Sequence, residues 1–210
     1  VEALSDELSA LADTILAAAI PCVWADTPKT HTDTPQIGII GYGKLGGKEL
    51  GYTSDLDLVY VYEDPHPDAP DIYGRFARRL TSWLSAATGA GTLYDVDLRL
   101  RPNGEAGLLV TSLEALRKYQ LESAWVWEHQ ALTRARFSAG DRAIGKSFEA
   151  IRTEVLCLRR ELDTLRTEVK AMRKKMSDAH GSKVGEFFDL KHDSGGLVDV
   201  EFLIQYLVLG

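Results

Sequence analysis

Residues 41–62 read Gly-Tyr-Gly-Lys-Leu-Gly-Gly-Lys-Glu-Leu-Gly-Tyr-Thr-Ser-Asp-Leu-Asp-Leu-Val-Tyr-Val-Tyr. Glycines crowd its first half, and a run of aliphatic, β-branched and aromatic residues forms its second half. Such a run predicts a buried strand. Side chains two positions apart in a strand point to the same face. Asp55 and Asp57 are therefore expected to project together from the start of this strand.

Two neighbouring carboxylates repel each other unless a positive charge lies between them. Mg²⁺ is a suitable cation, because it prefers a few carboxylates together with substrate phosphates. Glycines allow backbone N–H groups to approach such phosphates closely. The stretch therefore predicts a site for a metal-bound nucleoside triphosphate. The candidate phosphate contacts are Gly43, Lys44, Gly46, Gly47 and Ser54.

Two common nucleotide-binding motifs do not account for this stretch. A P-loop is excluded because the Gly-Lys-Ser/Thr ending is missing. A dinucleotide-binding Rossmann motif is excluded because no acidic residue follows a second strand at the required distance.

A second strand, predicted over Thr92–Arg101, alternates apolar and polar residues. Its polar face carries Asp95, Asp97, Arg99 and Arg101. Adjacent strands lie about 4.8 Å apart, so a carboxylate on this face can join the first acidic pair in a two-metal cage. The spacing leaves both aspartates as candidates. The arginines suit phosphate oxygens, or alternatively balance the acidic charge.

The rest of the chain predicts a mixed α/β part followed by a helical part. A helix is expected over residues 2–19, ended by Pro21, and another from Ser112 to about Glu122. Apolar residues spaced three and four apart between Phe148 and Met176 predict one continuous helix over about 142–176. At 1.5 Å per residue its length would be about 50 Å. A bundle helix is favoured over a self-associating coiled coil.

Composition narrows the functional classes. The 210 residues include 24 basic and 31 acidic side chains, a net charge of −7 that argues against non-specific nucleic-acid binding. The two distant cysteines suggest reduced thiols and a cytoplasmic location. Neither a signal peptide nor an apolar run of membrane-spanning length is apparent, so no membrane partner is expected. The chain has no initial Met and stops straight after an apolar stretch, so we expect it to be part of a longer protein.

The glycines followed by Ser-Asp-Leu-Asp resemble the DNA polymerase β-type nucleotidyltransferase superfamily. Further motifs resemble the glutamine synthetase adenylyltransferase family more closely and occur in the expected order. They are Gly41–Leu58, Tyr94–Pro102, Gly107–Val110, Ala124–Arg136 and Gly195–Phe202.

The resemblance implies an α+β fold: a polymerase β-like nucleotidyltransferase domain with a mixed sheet over residues 1–140. The start of a helical bundle would follow over 141–210. Asp55, Asp57 and Asp97 would be catalytic Mg²⁺ ligands, which resolves the choice between the two aspartates of the second strand. The superfamily spacing fits Gly43 better than the Gly46-Gly47 pair, so which glycines contact phosphate stays open.

The resemblance also implies an activity: transfer of AMP from ATP to a tyrosine of glutamine synthetase. The PII signal protein and glutamine would be regulators. The Trp-Glu-His-Gln and Gly-Gly-Leu-Val-Asp segments resemble the adenylylating half of the family's two-part protein. The alternatives are the deadenylylating half, with phosphate as the nucleophile, and a non-catalytic module that binds nucleotide or PII.

Overall fold

The computed structural model describes residues 2–182 and 188–210. Over these residues the elements, in chain order, are α1 (Glu2–Ala25), β1 (Ile37–Gly41), α2 (Gly43–Gly46), β2 (Leu56–Tyr62), α3 (Ala69–Ser85), β3 (Val96–Asp97), β4 (Val110–Ser112), α4 (Leu113–Glu122), α5 (Val126–Leu132), β5 (Arg136–Gly140), α6 (Arg142–Leu156), α7 (Leu162–His180) and α8 (Leu197–Leu209).

The strands form one mixed sheet in the order β3-β2-β1-β5, with β4 also paired to β2. β1 lies antiparallel to β2 and to β5, whereas β3 and β4 lie parallel to β2. The predicted α+β class with a mixed sheet is confirmed. The segment Val110–Ser112 forms the strand β4. It pairs with the end of β2, while β3 pairs with its start.

The alternation of β1 and β2 produces two buried faces. One face packs into a core with α1 and α3. The sheet contributes Ile39, Leu58 and Tyr60 to this core, α1 contributes Leu16 and α3 contributes Phe76. The side chain of Ile144 on α6 packs beside Gly38 and Val61 on the other face, so closely that a Cβ at Gly38 would lie 2.8 Å from Ile144. In the described part of the chain, β1 and β2 therefore lie between helices.

The helix α1 continues through Pro21, where the sequence predicted its end. A proline removes one helical hydrogen bond, but packing beyond it compensates. Trp24 stacks on Tyr73 at 5.3 Å and donates from Nε1 to the carbonyl of Thr32 at 3.0 Å. The helix α1 is long and apolar enough to cross a membrane. This criterion of length and composition is also met by helices that pack in a protein core.

The described residues form two compact units. The sheet unit comprises the residues up to Ser123 together with Arg134–Arg152. The helical unit comprises Ala124–Thr133 together with Thr153–Gly210. This division differs from the boundary predicted after residue 140, because the first part of α6 packs on the sheet. Ile144 and Phe148 of that part are each only 1% exposed.

The continuous helix predicted over 142–176 is wrong, since the chain leaves the helix after Leu156 and re-enters one at Leu162. Arg160 donates to the carbonyls of Val155 at 2.8 Å and Leu156 at 3.1 Å, which satisfies the open end of α6. The Glu161 carboxylate accepts from the amides of Asp163 and Thr164 and caps α7. The side chains of Arg160 and Glu161 therefore cap two separate helices where the heptad pattern predicted one.

Within the helical unit, α7 and α8 pack on each other and on α5. Leu165, Val169 and Leu209 form its buried centre. The helix α8 covers Leu197–Leu209 and is capped at its start by Gly196. Glu128 accepts from the amide of Trp125 at 2.9 Å, and Gln130 donates to the side-chain oxygen of Gln205 at 2.8 Å. The Trp-Glu-His-Gln segment thus has a packing role in this unit.

Candidate functional site

Three carboxylates meet at the start of β2 and the end of the neighbouring strand β3. Asp55 immediately precedes β2, and the parallel pairing of β2 with β3 aligns Asp57 with Asp97. Each contributes an oxygen, and these three oxygens lie within 4.8 Å of one another. Asp55 is exposed, whereas the other two are half-buried. We call Asp55, Asp57 and Asp97 the carboxylate trio.

Asp95, the rival candidate, does not join the trio in the described part of the chain. Its backbone carbonyl accepts from the amide of Leu56 at 2.9 Å, which helps to hold β3 beside β2. β3 itself is only two residues long, where the sequence predicted a strand over Thr92–Arg101. The alternation nevertheless assigned the faces correctly, since Tyr94, Val96 and Leu98 pack against the core.

The trio creates an unfavourable environment for a lone negative charge. Burial, followed by the negative charges of Asp55 and Asp97, raises the pKa of Asp57 from 3.8 to about 6. Arg134 and Arg99 act in the opposite direction. A cation between the carboxylates would relieve this repulsion. Carboxylate oxygens are the ligands that Mg²⁺ prefers, so the donor set fits such an ion.

Arg99 is engaged with the trio itself. It donates from its backbone amide and its guanidinium to the Asp97 carboxylate, and the two side chains form an ion pair. The side-chain hydrogen bond from Arg99 is the main reason that the pKa of Asp97 is lowered. Of the two roles predicted for this arginine, the position of Arg99 matches the balancing of acidic charge.

Arg101 is directed at backbone rather than at the carboxylates. Its guanidinium donates to the carbonyls of Leu98 at 2.7 Å, Glu105 at 3.1 Å and Gly107 at 3.3 Å. These bonds fold the segment after β3 over the edge of the site. A cleft of about 450 Å³ results, lined by Asp55, Asp95, Asp97, Arg99, Arg101 and Glu105 among others.

The glycines divide by what they touch. A Cβ at Gly43, which has a φ of +52°, would overlap the carboxylate of Asp57. A Cβ at Gly46 would instead overlap the carbonyl oxygen of Arg134. The amides of Gly46 and Gly47 donate within the turn, to the carbonyls of Tyr42 and Gly43. Gly43 is thus the glycine placed against the trio, and its role as a phosphate contact stays a prediction.

The remaining predicted contacts lie on the loop around α2. Lys44 is an exposed residue of α2, with its side chain at the surface. The hydroxyl of Ser54 accepts from the amide of Gly51 at 3.0 Å, which closes the turn leading into Asp55. Their roles as phosphate contacts stay predictions.

Arg134 lies near the trio although no sequence pattern predicted it there. Arg134 precedes β5 and pairs with Glu49 at 3.3 Å, and its charge lowers the pKa of Asp57. The strand β5 that positions it was not predicted either. Its sequence Arg-Phe-Ser-Ala-Gly carries only one large apolar side chain, and antiparallel pairing with β1 stabilises it.

A mixed sheet with three carboxylates on two neighbouring parallel strands is consistent with an α+β domain of the nucleotidyltransferase type. Comparison with known proteins specifies the family. The chain belongs to the Glutamate-ammonia ligase adenylyltransferase (GlnE) family, whose family model matches residues 1–151.

Its relatives include three bacterial proteins, each named bifunctional glutamine synthetase adenylyltransferase/adenylyl-removing enzyme. The chain is 65% identical over 210 residues to the protein of Aromatoleum aromaticum, 62% over 209 to that of Neisseria meningitidis serogroup B and 60% over 209 to that of Chromobacterium violaceum. Each match covers 100% of this chain and 22 to 23% of the relative. The chain therefore spans less than a quarter of the length of these relatives.

Proposed function

We propose that this chain carries the site that transfers AMP from ATP to a tyrosine of glutamine synthetase. The observation that carries this proposal is the meeting of three carboxylates beside a glycine turn. Membership of the adenylyltransferase family suggests that glutamine synthetase accepts the AMP, since the relatives' names include this protein.

In the proposed reaction the tyrosyl oxygen attacks the α-phosphorus of ATP in line with the leaving group. A bond forms between the tyrosyl oxygen and the α-phosphorus, the bond from the α-phosphorus to the bridging oxygen breaks, pyrophosphate leaves with that oxygen, and the phenol proton passes to water. A free tyrosine has a pKa near about 10, so the phenol needs activation near neutral pH. Mg²⁺ at the trio would supply positive charge for the phenolate and the phosphates.

The chain's own residues have distinct tasks in this scheme. Asp55, Asp57 and Asp97 would hold Mg²⁺ through their facing oxygens. Arg99 keeps Asp97 ionised by lowering its pKa, which favours a ligand over a proton acceptor. Gly43 leaves room for the Asp57 carboxylate. Transfer would therefore depend on positioning and charge, as is general for nucleotidyl and phosphoryl transfer.

The adenylylating activity is favoured over adenylyl removal by the motifs of the helical unit. The Trp-Glu-His-Gln and Gly-Gly-Leu-Val-Asp segments resemble that half of the family's protein. The second candidate is adenylyl removal, which the relatives' names also include. In that reaction phosphate attacks the tyrosyl-bound AMP and forms ADP.

A matched pair of assays separates the two activities. The chain is incubated with Mg²⁺, unmodified glutamine synthetase and ATP labelled at the α-phosphate, and in parallel with adenylylated glutamine synthetase and phosphate. Label on the synthetase together with released pyrophosphate supports adenylylation. Formation of ADP in the second assay alone supports removal. The absence of both products contradicts the proposal.

The remaining expectations belong to the same proposal. The acceptor protein and the nucleotide would be the partners of the site, with PII and glutamine as regulators and a cytoplasmic location. The acidic net charge of −7 favours a protein acceptor over nucleic acid.

A further inference from the structure

The helix α3 has a buried inner face and a positively charged outer face. On the inner face Phe76 and Leu80 are buried in the core of the sheet unit. On the outer face Arg78 and Arg79 are exposed, and the side chain of Trp83 is 51% exposed. Because the inner face is packed, the helix presents these three side chains from a fixed support.

A groove of about 400 Å³ lies between this outer face and the end of α1. Its lining residues are Val23, Asp26, Arg78, Arg79, Ser82 and Trp83. All of them belong to the sheet unit. The groove therefore brings apolar surface and two guanidinium groups together at a place other than the carboxylate trio.

The two arginines of the groove are not occupied by contacts within the described part of the chain. Over residues 2–182 and 188–210, neither Arg78 nor Arg79 makes a hydrogen bond or an ion pair, although Asp26 lines the same groove. The helix α3 contains three arginines and one aspartate, whereas the whole chain has a net charge of −7. A positive surface on an acidic chain favours a negatively charged partner.

Trp83 adds an apolar contact to this positive surface. Side chains four positions apart on a helix are neighbours, so Trp83 lies one turn beyond Arg79. That turn rises by about 6 Å, which matches two residues of an extended peptide at about 3.3 Å each. An acidic and an aliphatic side chain two positions apart in such a peptide would contact both residues. Tryptophan and arginine are also enriched among the residues that dominate binding at protein interfaces.

We propose that the groove beside Arg78, Arg79 and Trp83 docks an extended acidic segment of a partner protein. The carboxylates would pair with the arginines, and an aliphatic side chain would pack on the indole. A protein segment is favoured over nucleic acid because the groove offers two arginines, which is few for a continuous run of phosphates. This inference goes beyond the proposed function, since it concerns a surface outside the trio and does not depend on AMP transfer.

The test titrates the chain with an end-blocked peptide, Glu-Ser-Leu-Ser-Glu-Ser-Leu, and follows the indole N–H signal of Trp83 by NMR. This signal is assigned by its loss in Trp83→Phe. We expect a saturable shift on titration. The same peptide with glutamine in place of glutamate should bind about tenfold more weakly or less, because several ion pairs are lost together.

The matched variants are the double substitution Arg78→Glu/Arg79→Glu and the control Arg142→Glu. Arg142, on α6, is likewise exposed and has no hydrogen bond or ion pair to another described residue. The double variant should bind the glutamate peptide about tenfold more weakly, whereas the control should bind it as the unsubstituted chain does. Neither variant should lower Tm, and the glutamine peptide gives an independent answer without any change to the chain.

Three results would overturn the inference. The first is an unshifted Trp83 signal, or equal binding of the glutamate and glutamine peptides. The second is tighter binding of an oligothymidine strand than of the glutamate peptide, which would assign the groove to nucleic acid. The third is self-association of the chain that the double variant abolishes, which would assign the groove to a second copy.

Discussion

Gly43 lies directly against the carboxylate of Asp57, in a backbone conformation with φ of +52°. Both features require glycine at this position: a side chain would be strained by the positive φ and would overlap the carboxylate. The glycine turn thus shapes the acidic end of β2 before any ligand is considered.

Substitution Gly43→Ala is therefore expected to displace Asp57 and weaken Mg²⁺ binding about tenfold or more. Calorimetric titration with Mg²⁺ in the presence of ATP measures this loss. Gly51→Ala is the control within the same stretch, since its added Cβ would meet only Ser54 Oγ at 3.7 Å, an ordinary contact. Equal Mg²⁺ affinity in both variants would show that the Gly43–Asp57 contact does not position the carboxylate.

Substitution Asp57→Asn is expected to stabilise the metal-free chain at neutral pH. The pKa of Asp57 is raised from 3.8 to about 6 in the folded state, so the folded state binds more protons than the unfolded state between these values. Ionisation of Asp57 therefore lowers the free energy of unfolding as pH rises from about 4 to 6. This loss of stability is fully present above pH 6. After allowance for solvent screening, the gain is on the order of 1 kcal/mol, or about 2–4 °C in Tm.

Thermal unfolding in EDTA between pH 4 and 8 checks this sign. The gain from Asp57→Asn should shrink towards pH 4, and added Mg²⁺ should stabilise the unsubstituted chain but not the variant. Asp95→Asn, an exposed substitution outside the trio, should leave Tm nearly unchanged. A lower Tm for Asp57→Asn at pH 7.5 in EDTA would contradict the electrostatic account.

The interruption between α6 and α7 offers a test of the fold that is independent of the site. Arg160 donates to carbonyls at the end of α6 and to the carbonyl of Leu209, and it contacts His129 Nδ1 at 3.2 Å. Arg160→Ala should lower the free energy of unfolding by about 1–3 kcal/mol, because buried carbonyls lose a charged donor. Arg159→Ala, at an exposed neighbouring position, is the control. Hydrogen exchange should quicken around Leu156 only in the first variant.

The positions of the carboxylates were predictable because strand geometry is regular. Asp55 and Asp57 stand two apart at the start of an unmistakable strand, and the second acidic strand had to lie close by. The sequence alone left Asp95 and Asp97 equivalent. The parallel register, with Asp57 opposite Asp97, distinguishes them.

Tertiary contacts determined the features that sequence patterns predicted wrongly. The heptad spacing continues across residues 157–161 without glycine or proline, so only the capping bonds of Arg160 and Glu161 reveal the break. Pro21 ends a helix by local rules, but the packing of Trp24 carries α1 past it. Arg134 lies far from the glycine turn in sequence and is brought beside it by the pairing of β5 with β1.

The central claim is that the carboxylate trio carries AMP transfer to glutamine synthetase. Its most direct test is the initial rate of Mg²⁺-dependent labelling of glutamine synthetase by α-labelled ATP, compared among four single aspartate-to-asparagine variants. We predict that Asp55→Asn, Asp57→Asn and Asp97→Asn each lower the rate at least about 100-fold, while Asp95→Asn stays within about twofold. Equal rates in all four variants, or a loss confined to Asp95→Asn, would contradict the account.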